Sequence, residues 1–192
     1  RFAPVWNQGR LYFGSDDGIV YCLEAKSGDE VWKYRPSPSG ELVVGNGRVI
    51  SLWPVRVGLA VEDGMVYLSA GVFPYEGIYV AAIDAATGLE RWKNDTAGDL
   101  SWGLDHGGIT PHGYLVLSKD YLYVPSGRAM PTAFDRHTGK FHKSLSAGGK
   151  TGGAWALLDQ DRLIAGVNNQ GNSAKIAYEA KSGKRSGDAF AS

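Results

Sequence analysis

One short pattern occurs four times along this chain, and it constrains the fold more than any other feature. Each copy has a strand-like run rich in Leu, Val, Ile and Tyr, then an acidic residue, and four residues after that a turn glycine. The turn glycines are Gly28, Gly88, Gly139 and Gly183, spaced by 60, 51 and 44 residues. The shortest spacing is close to the roughly 40–50 residues of one four-stranded blade in propeller repeats.

The residues of the repeat have the chemistry of strands and tight turns. Runs of β-branched and aromatic residues bounded by turn residues are typical of β-strands. Each glycine tolerates the left-handed backbone of a turn, and the acidic residue before it is able to accept hydrogen bonds from turn amides. Those acidic residues are Glu24, Asp84, Asp135 and Glu179. At Asp17-Gly18, the sequence predicts a hairpin with the positive φ angles of a primed turn.

The sequence predicts an all-β fold. No stretch of 12 residues shows a convincing helical period. The 27 glycines among 192 residues fit many tight turns between short strands, since this share is roughly twice the ordinary usage. Repeated four-stranded units with short protected edges favour a propeller over a sandwich. Trp32 and Trp92 fall four residues after a turn glycine, where a tryptophan is able to lie flat over a neighbouring blade.

The stretch Ala82–Trp92 contains the full pattern Ala-x-Asp-x-x-Thr-Gly-x-x-x-Trp, and Cys22–Trp32 matches it with Glu and Ser in place of Asp and Thr. This pattern resembles the tryptophan-docking signature of PQQ-like (pyrroloquinoline quinone) β-propeller repeats, including those of uncharacterised bacterial proteins. The third and fourth copies keep the hairpin but have Lys143 and Gly187 at the tryptophan position. Propellers of this family usually have seven or eight blades. The resemblance therefore implies about four blades of a larger propeller, with a closed four-bladed ring as the alternative.

We expect residues 1–192 to form a single partial propeller. The predicted blades span about 3–35, 57–95, 113–147 and 153–192, and residues 36–56 and 96–112 are interpreted as insertions. The residues predicted to hold the repeat together are Gly28, Trp32, Asp84, Gly88, Trp92, Asp135, Gly139 and Gly183.

The two insertions and the third blade's hairpin carry the residues predicted to bind a ligand or partner. Loops on a rigid scaffold are common binding sites, and Trp and Arg are favoured at recognition surfaces. For the two insertion tryptophans the alternative is that they fill gaps between blades. The candidate binding residues are Trp53, Arg56, Trp102, Asp105, His106, His112 and Arg128. We expect them to lie together on one propeller face.

Charge and cysteine content exclude several functions. Twenty basic and twenty acidic side chains balance, which argues against binding to nucleic acid or to a membrane surface. The longest apolar run, Ile78–Ile83, is far too short to span a bilayer. The single cysteine, Cys22, excludes an internal disulfide and a multi-cysteine metal site. The four histidines lack an apparent third ligand, so no metal site is predicted, and no nucleophile constellation is evident.

The resemblance leaves two functions open. The first is a non-catalytic module that binds a protein or small ligand and needs no cofactor, like the family's propeller lipoprotein of outer-membrane assembly. The alternative is part of a quinoprotein dehydrogenase that uses PQQ and calcium, in which the protein positions the quinone. The adjacent cysteine pair of such alcohol dehydrogenases is absent from this sequence. We therefore favour the binding module while leaving enzyme activity open.

The resemblance also implies a periplasmic or extracellular location. The first residues, Arg1-Phe2-Ala3-Pro4, do not form a signal peptide. We expect both ends to have been cut from something longer.

Overall fold

The computed structural model consists of antiparallel β-strands, which confirms the all-β prediction. It describes residues 2–45, 47–99, 108–127, 129–145, 155–166 and 175–188. These residues contain no α-helix and one 3-10 turn, Pro74–Glu76. The strands form four-stranded sheets that we number as blades one to four.

The first half of the described chain contains blades one and two with a hairpin between them. Blade one consists of β1 (Val5–Asn7), β2 (Arg10–Gly14), β3 (Val20–Glu24) and β4 (Glu30–Tyr34). The connection contains β5 (Leu42–Gly45), β6 (Arg48–Ser51) and β7 (Val57–Gly58). Blade two consists of β8 (Ala60–Glu62), β9 (Met65–Ala70), β10 (Tyr79–Asp84) and β11 (Glu90–Asn94).

The second half begins with β12 (Gly113–Tyr114), which pairs in parallel with β7. Blade three consists of β13 (Val116–Leu117), β14 (Tyr121–Val124), β15 (Thr132–Asp135) and β16 (Phe141–Ser144). Blade four consists of β17 (Ala156–Asp159), β18 (Arg162–Gly166), β19 (Lys175–Glu179) and β20 (Arg185–Asp188). In each blade the strands are ordered as they occur in the chain. This repeated four-stranded antiparallel meander is the blade of a β-propeller.

The prediction of a primed turn at Asp17-Gly18 is wrong. Of these two residues only Gly18 has a positive φ, 80°. The Asp17 carboxylate accepts a hydrogen bond from the Ile19 amide at 3.0 Å, an Asx-type contact that stabilises a longer loop at ordinary φ. Both central residues have positive φ at Gln8-Gly9 (47° and 80°) and at Asp63-Gly64 (52° and 72°), which is the geometry of a type I′ hairpin.

The four turn glycines share one conformation. Gly28, Gly88, Gly139 and Gly183 have φ of 81°, 74°, 71° and 65°. Beside each of them, the pairing between the third and fourth strands of the blade shifts register at the same place. The Asp84 Oδ1 atom accepts bonds from the amides of residues 86 and 87 at 3.0 and 2.9 Å, and Asp135 does the same one blade later.

Tryptophans on the outer strands join blade one to blade two and blade two to blade three. The indole N–H of Trp32 donates to the Ala85 carbonyl at 3.0 Å, and a Cβ added to Gly88 would lie 2.8 Å from that indole. The indole N–H of Trp92 donates to the Arg136 carbonyl at 2.9 Å and its ring lies against the Cα of Gly139. A glycine is needed at both places because any side chain would displace the ring.

Between blades three and four, Lys143 stands where a tryptophan would. Its ammonium group contacts the Ser182 carbonyl, and its stem lies against Gly183. The Tyr123 hydroxyl of blade three donates to the Ala180 carbonyl at 2.5 Å, as the Tyr12 hydroxyl of blade one donates to Ala85 at 3.2 Å. Blades one, two and three are thus each fastened to the turn of the following blade, and the buried core lies between the blade faces.

Candidate binding face

The antiparallel order places two sets of loops at opposite ends of the blades. The connections β2–β3, β9–β10 and β14–β15 share one end with the segments that run from blade to blade. Backbone hydrogen bonds join them there: the Ser51 amide to the Asp16 carbonyl at 2.8 Å, and the Gly71 amide to the Pro54 carbonyl at 3.1 Å. We call this end the loop face, and the end with the four turn glycines the turn face.

A cavity of about 190 Å³ opens on the loop face beside blade one. Its apolar walls come from the residues before β1, the end of β2 and the segment around β7. They include Phe2, Pro4, Phe13, Val55 and Leu59. Such a site, mostly apolar with a few polar groups, has the composition of a small-ligand or side-chain pocket.

The charged groups of the cavity wall are an ion pair. The Arg56 Nε atom lies 2.7 Å from the Asp16 Oδ1 atom, and the two side chains are 38% and 21% exposed. Asp16 follows β2 and Arg56 precedes β7, so the pair ties the β2–β3 loop of blade one to the segment entering blade two. Arg56 therefore lies on the predicted face and in a cavity wall.

Trp53 is a packing residue rather than an exposed recognition residue. Its side chain is 7% exposed, its indole N–H donates to the Glu76 carbonyl, and its ring meets Tyr79 edge-on at 6.0 Å. It thereby links the connection after β6 to the β9–β10 loop. This is the alternative that the sequence left open for the insertion tryptophans.

The other predicted binding residues divide into two groups. His112 is exposed on the loop face, its ring lies 6.1 Å from that of Phe2, and its amide donates to the Pro125 carbonyl. Because Phe2 also lines the cavity, the structure brings His112 and Arg56 to the same region. Trp102, Asp105, His106 and Arg128 lie outside the described residues.

The β5–β6 hairpin exposes apolar side chains on the loop face. Val44 pairs with Val49 across the hairpin, and they are 81% and 67% exposed, with Leu42 on the same side at 58%. The sequence analysis missed this hairpin, although Asn46-Gly47 between two β-branched runs is the strongest short-range hairpin signal.

A second exposed apolar group lies in the β9–β10 loop. The rings of Phe73 and Tyr75 stack at 5.5 Å with an interplanar angle of 19°, and the side chains are 51% and 79% exposed. Stacked aromatic rings present a large, rigid area of the kind that recognition surfaces use. The loop face thus exposes two apolar groups, one on the β5–β6 hairpin and one in the β9–β10 loop.

Two ionisable groups on β3 of blade one, Tyr21 and Cys22, have raised pKa values. The Tyr21 hydroxyl donates to the Asp17 carboxylate at 2.7 Å, and this bond raises the pKa of Tyr21 to about 12. Such a phenol stays protonated at neutral pH. Cys22 is fully buried, and burial raises the pKa of its thiol.

The described residues show no cluster of acidic or histidine side chains of the kind that would hold calcium beside a quinone. Calcium requires six to eight oxygen ligands, and within the described ranges no three His, Cys, Asp or Glu side chains come together as a metal site. The arginine of the cavity wall, Arg56, is paired with Asp16. In the same ranges, no helix is both long and apolar enough to cross a membrane.

Curated proteins similar to this chain include alcohol dehydrogenases. It is 28% identical over 145 residues to a quinohemoprotein alcohol dehydrogenase ADH-IIG of Pseudomonas putida, covering 72% of this chain and 18% of that protein. The chain thus spans less than a fifth of this curated relative.

Solved structures agree on the fold. The quinohemoprotein alcohol dehydrogenase of Comamonas testosteroni matches 97% of this chain and 34% of its own, with a TM-score of 0.68 at 17% identity. BamB of Moraxella catarrhalis matches 97% of this chain and 50% of its own, with a TM-score of 0.61 at 18% identity.

A family model described as outer membrane protein assembly factor BamB matches residues 1–99 and 76–186, which is nearly the whole chain. Together with the blade architecture and the repeated turn, this match shows that the chain belongs to the PQQ-like repeat family of β-propellers.

Proposed function

We propose that this chain is a non-catalytic propeller module that binds a protein partner through its loop face. The observation that carries the proposal is the exposed apolar surface there: Val44 and Val49 on the β5–β6 hairpin, and the stacked Phe73 and Tyr75. Soluble proteins rarely leave grouped large apolar side chains in water unless something covers them.

The placement of these groups supports the proposal. The hairpin ends at Ser51, two residues before Trp53, and the buried indole of Trp53 donates to the Glu76 carbonyl in the β9–β10 loop. The apolar groups are therefore carried by a fixed scaffold. A rigid arrangement reduces the ordering that a partner would otherwise impose on binding.

Substitutions on the two faces test this function. In the full-length protein expressed in its own cells, Val44→Ser with Tyr75→Ser should reduce co-purification of the partner at least tenfold. Leu89→Ser is the matched control, because Leu89 is 66% exposed on the turn face. Unchanged co-purification for the double variant, with the same bound protein, contradicts the proposed face.

The alternative function is part of a quinone-dependent dehydrogenase. It is favoured by one observation, the similarity to a quinohemoprotein alcohol dehydrogenase. A quinone and calcium titration of the full-length protein tests it. Saturable, calcium-dependent quinone binding would support the dehydrogenase, and its absence supports the binding module.

We propose a periplasmic or extracellular location for the module. The support comes from the family model's description, which names an outer-membrane assembly factor. Fractionation of cells that express the full-length protein, with a cytoplasmic marker enzyme as the control, checks this location.

A further inference from the structure

The outer edge of the β5–β6 hairpin is open. Among the described residues β5 pairs with β6 and with no other strand, and residues 38–44 are all exposed. The hairpin is regular, with Leu42–Gly45 opposite Arg48–Ser51 and no shift of register. An isolated pair of strands is only marginally stable in water, and further strands stabilise it. The hairpin therefore has room on one side for another strand.

The hydrogen bonds of the hairpin show which backbone groups face that edge. The Leu52 amide donates to the Glu41 carbonyl at 2.9 Å, so these two residues form a hydrogen-bonded pair. Such pairs alternate with non-hydrogen-bonded pairs along an antiparallel ladder. Leu42 and Val44 therefore direct their N–H and C=O groups away from β6. The Ser51 amide, in the same pair as Leu42, points away from β5 in the same way and donates to the β2–β3 loop at 2.8 Å.

The sequence of β5 leaves this edge unprotected. Edge strands are commonly blocked by lysine, by proline or by a bulge. The strand Leu42–Gly45 consists of Leu-Val-Val-Gly, with no charged residue and no proline. A flat, uncharged edge whose backbone groups point outward is a template for pairing with another strand.

We propose that β5 pairs with β5 of a second copy of this chain, antiparallel about a two-fold axis at Val43. In this register Leu42 lies opposite Val44 of the second copy, and each such pair exchanges both of its backbone hydrogen bonds. The two hairpins then form one continuous sheet in the order β6–β5–β5–β6. Contacts of this isologous kind, in which the same patch serves on both copies, are the commonest way for soluble proteins to form dimers.

The charges of the hairpin suit a second copy in this register. Glu41 lies opposite Gly45 of the second copy, and Gly45 is paired with Arg48 within its own hairpin. Residues directly opposite one another in neighbouring strands share one face of a sheet, so the three positions form one row. Because glycine has no side chain, the exposed Glu41 and the exposed Arg48 of the other copy are able to meet above it. The two-fold axis repeats this pair of opposite charges.

This edge differs from the apolar surface of the proposed function, so the inference goes beyond that function and does not depend on it. Partner binding there uses the side chains of Val44 and Val49, which project from a face of the hairpin, whereas edge pairing uses backbone groups. Val44→Ser removes the side chain and keeps the N–H. It should therefore reduce partner co-purification without abolishing dimerisation, and each proposal can fail separately.

Sedimentation equilibrium of the full-length protein at a series of concentrations tests the pairing. We expect reversible dimerisation. Val44→Pro removes the N–H that points outward from β5, at an edge position where proline is tolerated, and should raise the dissociation constant of the dimer about tenfold or more. Val49→Pro is the matched control, because Val49 lies opposite Val44 and its N–H points outward from the other edge of the hairpin. It should leave the dissociation constant nearly unchanged.

Charge reversal and a disulfide keep the test valid if a proline variant fails to fold. Glu41→Arg should weaken the dimer, and the addition of Arg48→Glu should restore it. Val43→Cys should form a disulfide between copies under mild oxidation, because the two-fold axis places the two residues opposite each other at a Cα separation of about 4.5 Å. Val49→Cys should form none.

A full-length protein that stays monomeric up to its highest soluble concentration would overturn the proposal. Equal effects of Val44→Pro and Val49→Pro, or no rescue by the second charge reversal, would place the contact elsewhere and also overturn it. If the protein is monomeric and Val44→Pro alone releases a co-purifying protein, the edge belongs to a strand of that protein, which contradicts pairing with a second copy.

Discussion

The two docking tryptophans should respond differently to replacement by phenylalanine. The Ala85 carbonyl accepts not only the indole of Trp32 but also the Tyr12 hydroxyl at 3.2 Å and the Arg10 guanidinium at 3.2 Å. The Arg136 carbonyl accepts the indole of Trp92, and no other donor to it lies in the described residues. Trp92→Phe therefore leaves the Arg136 carbonyl without its donor at a blade interface, whereas after Trp32→Phe the Ala85 carbonyl keeps two donors.

The magnitudes follow from this difference. Losing a hydrogen bond whose acceptor keeps other donors costs about 1 kcal/mol or less, and leaving a buried acceptor unsatisfied costs about 1–3 kcal/mol. Both variants replace an indole with a smaller phenyl ring at a blade interface. Trp92→Phe should therefore lower the free energy of unfolding by about 1 kcal/mol more than Trp32→Phe does.

Urea unfolding monitored by far-UV circular dichroism measures the difference without relying on tryptophan emission. Trp32→Ala and Trp92→Ala serve as reference variants, since removing the whole ring lowers the free energy of unfolding by about 3–5 kcal/mol. If Trp32→Phe is as destabilising as Trp92→Phe, or more so, the argument from acceptor satisfaction is refuted.

Three further predictions concern single side chains. Arg136 is 4% exposed and pairs with the carboxylates of Glu62 at 3.0 Å and Asp63 at 3.2 Å. Both carboxylates reach solvent, so water hydrates them when the arginine is removed. Arg136→Met should therefore lower the free energy of unfolding by about 1–3 kcal/mol, measured by thermal unfolding. Hydrogen bonds from Arg91 and then Thr87 lower the pKa of Asp84 from 3.8 to about 2. Asp84→Asn should thus reduce stability at pH 7, and the gap should shrink as the pH falls from about 4 towards 2. Cys22 should react with a thiol reagent only on unfolding, because it is fully buried.

Controls exist for each of these predictions. For Arg136, Arg162→Met is a matched arginine change at an exposed position. A pH-independent effect of Asp84→Asn would contradict the assignment of its lowered pKa. Labelling of Cys22 in native buffer at the rate of a free thiol would contradict its burial.

The repeated turn could be predicted because its chemistry is local. Each turn glycine has a positive φ, and Asp84 and Asp135 accept hydrogen bonds from nearby amides, so the spacing of these residues identifies the turns. The turn at Asp17-Gly18 shows the limit of such reasoning. The same dipeptide supports a longer loop once the Asp17 carboxylate binds the Ile19 amide and the Tyr21 hydroxyl.

The ion pairs between blades could not be predicted in the same way. The other three copies have alanine three residues before the turn glycine, and the third copy has Arg136. This difference is the sign in the sequence that the position has a special contact. Its partners, Glu62 and Asp63, lie more than 70 positions earlier in the sequence. The cavity likewise joins Phe2, Phe13 and Arg56, which only the folded arrangement of blades one and two brings together.

Crosslinking from the loop face tests the central claim most directly. A photoreactive phenylalanine analogue is placed at position 44, 75 or 89 of the full-length protein in its own cells. We expect one shared protein adduct from positions 44 and 75 and none from position 89 on the turn face. The same adduct from all three positions, or an adduct from position 89 alone, would contradict it.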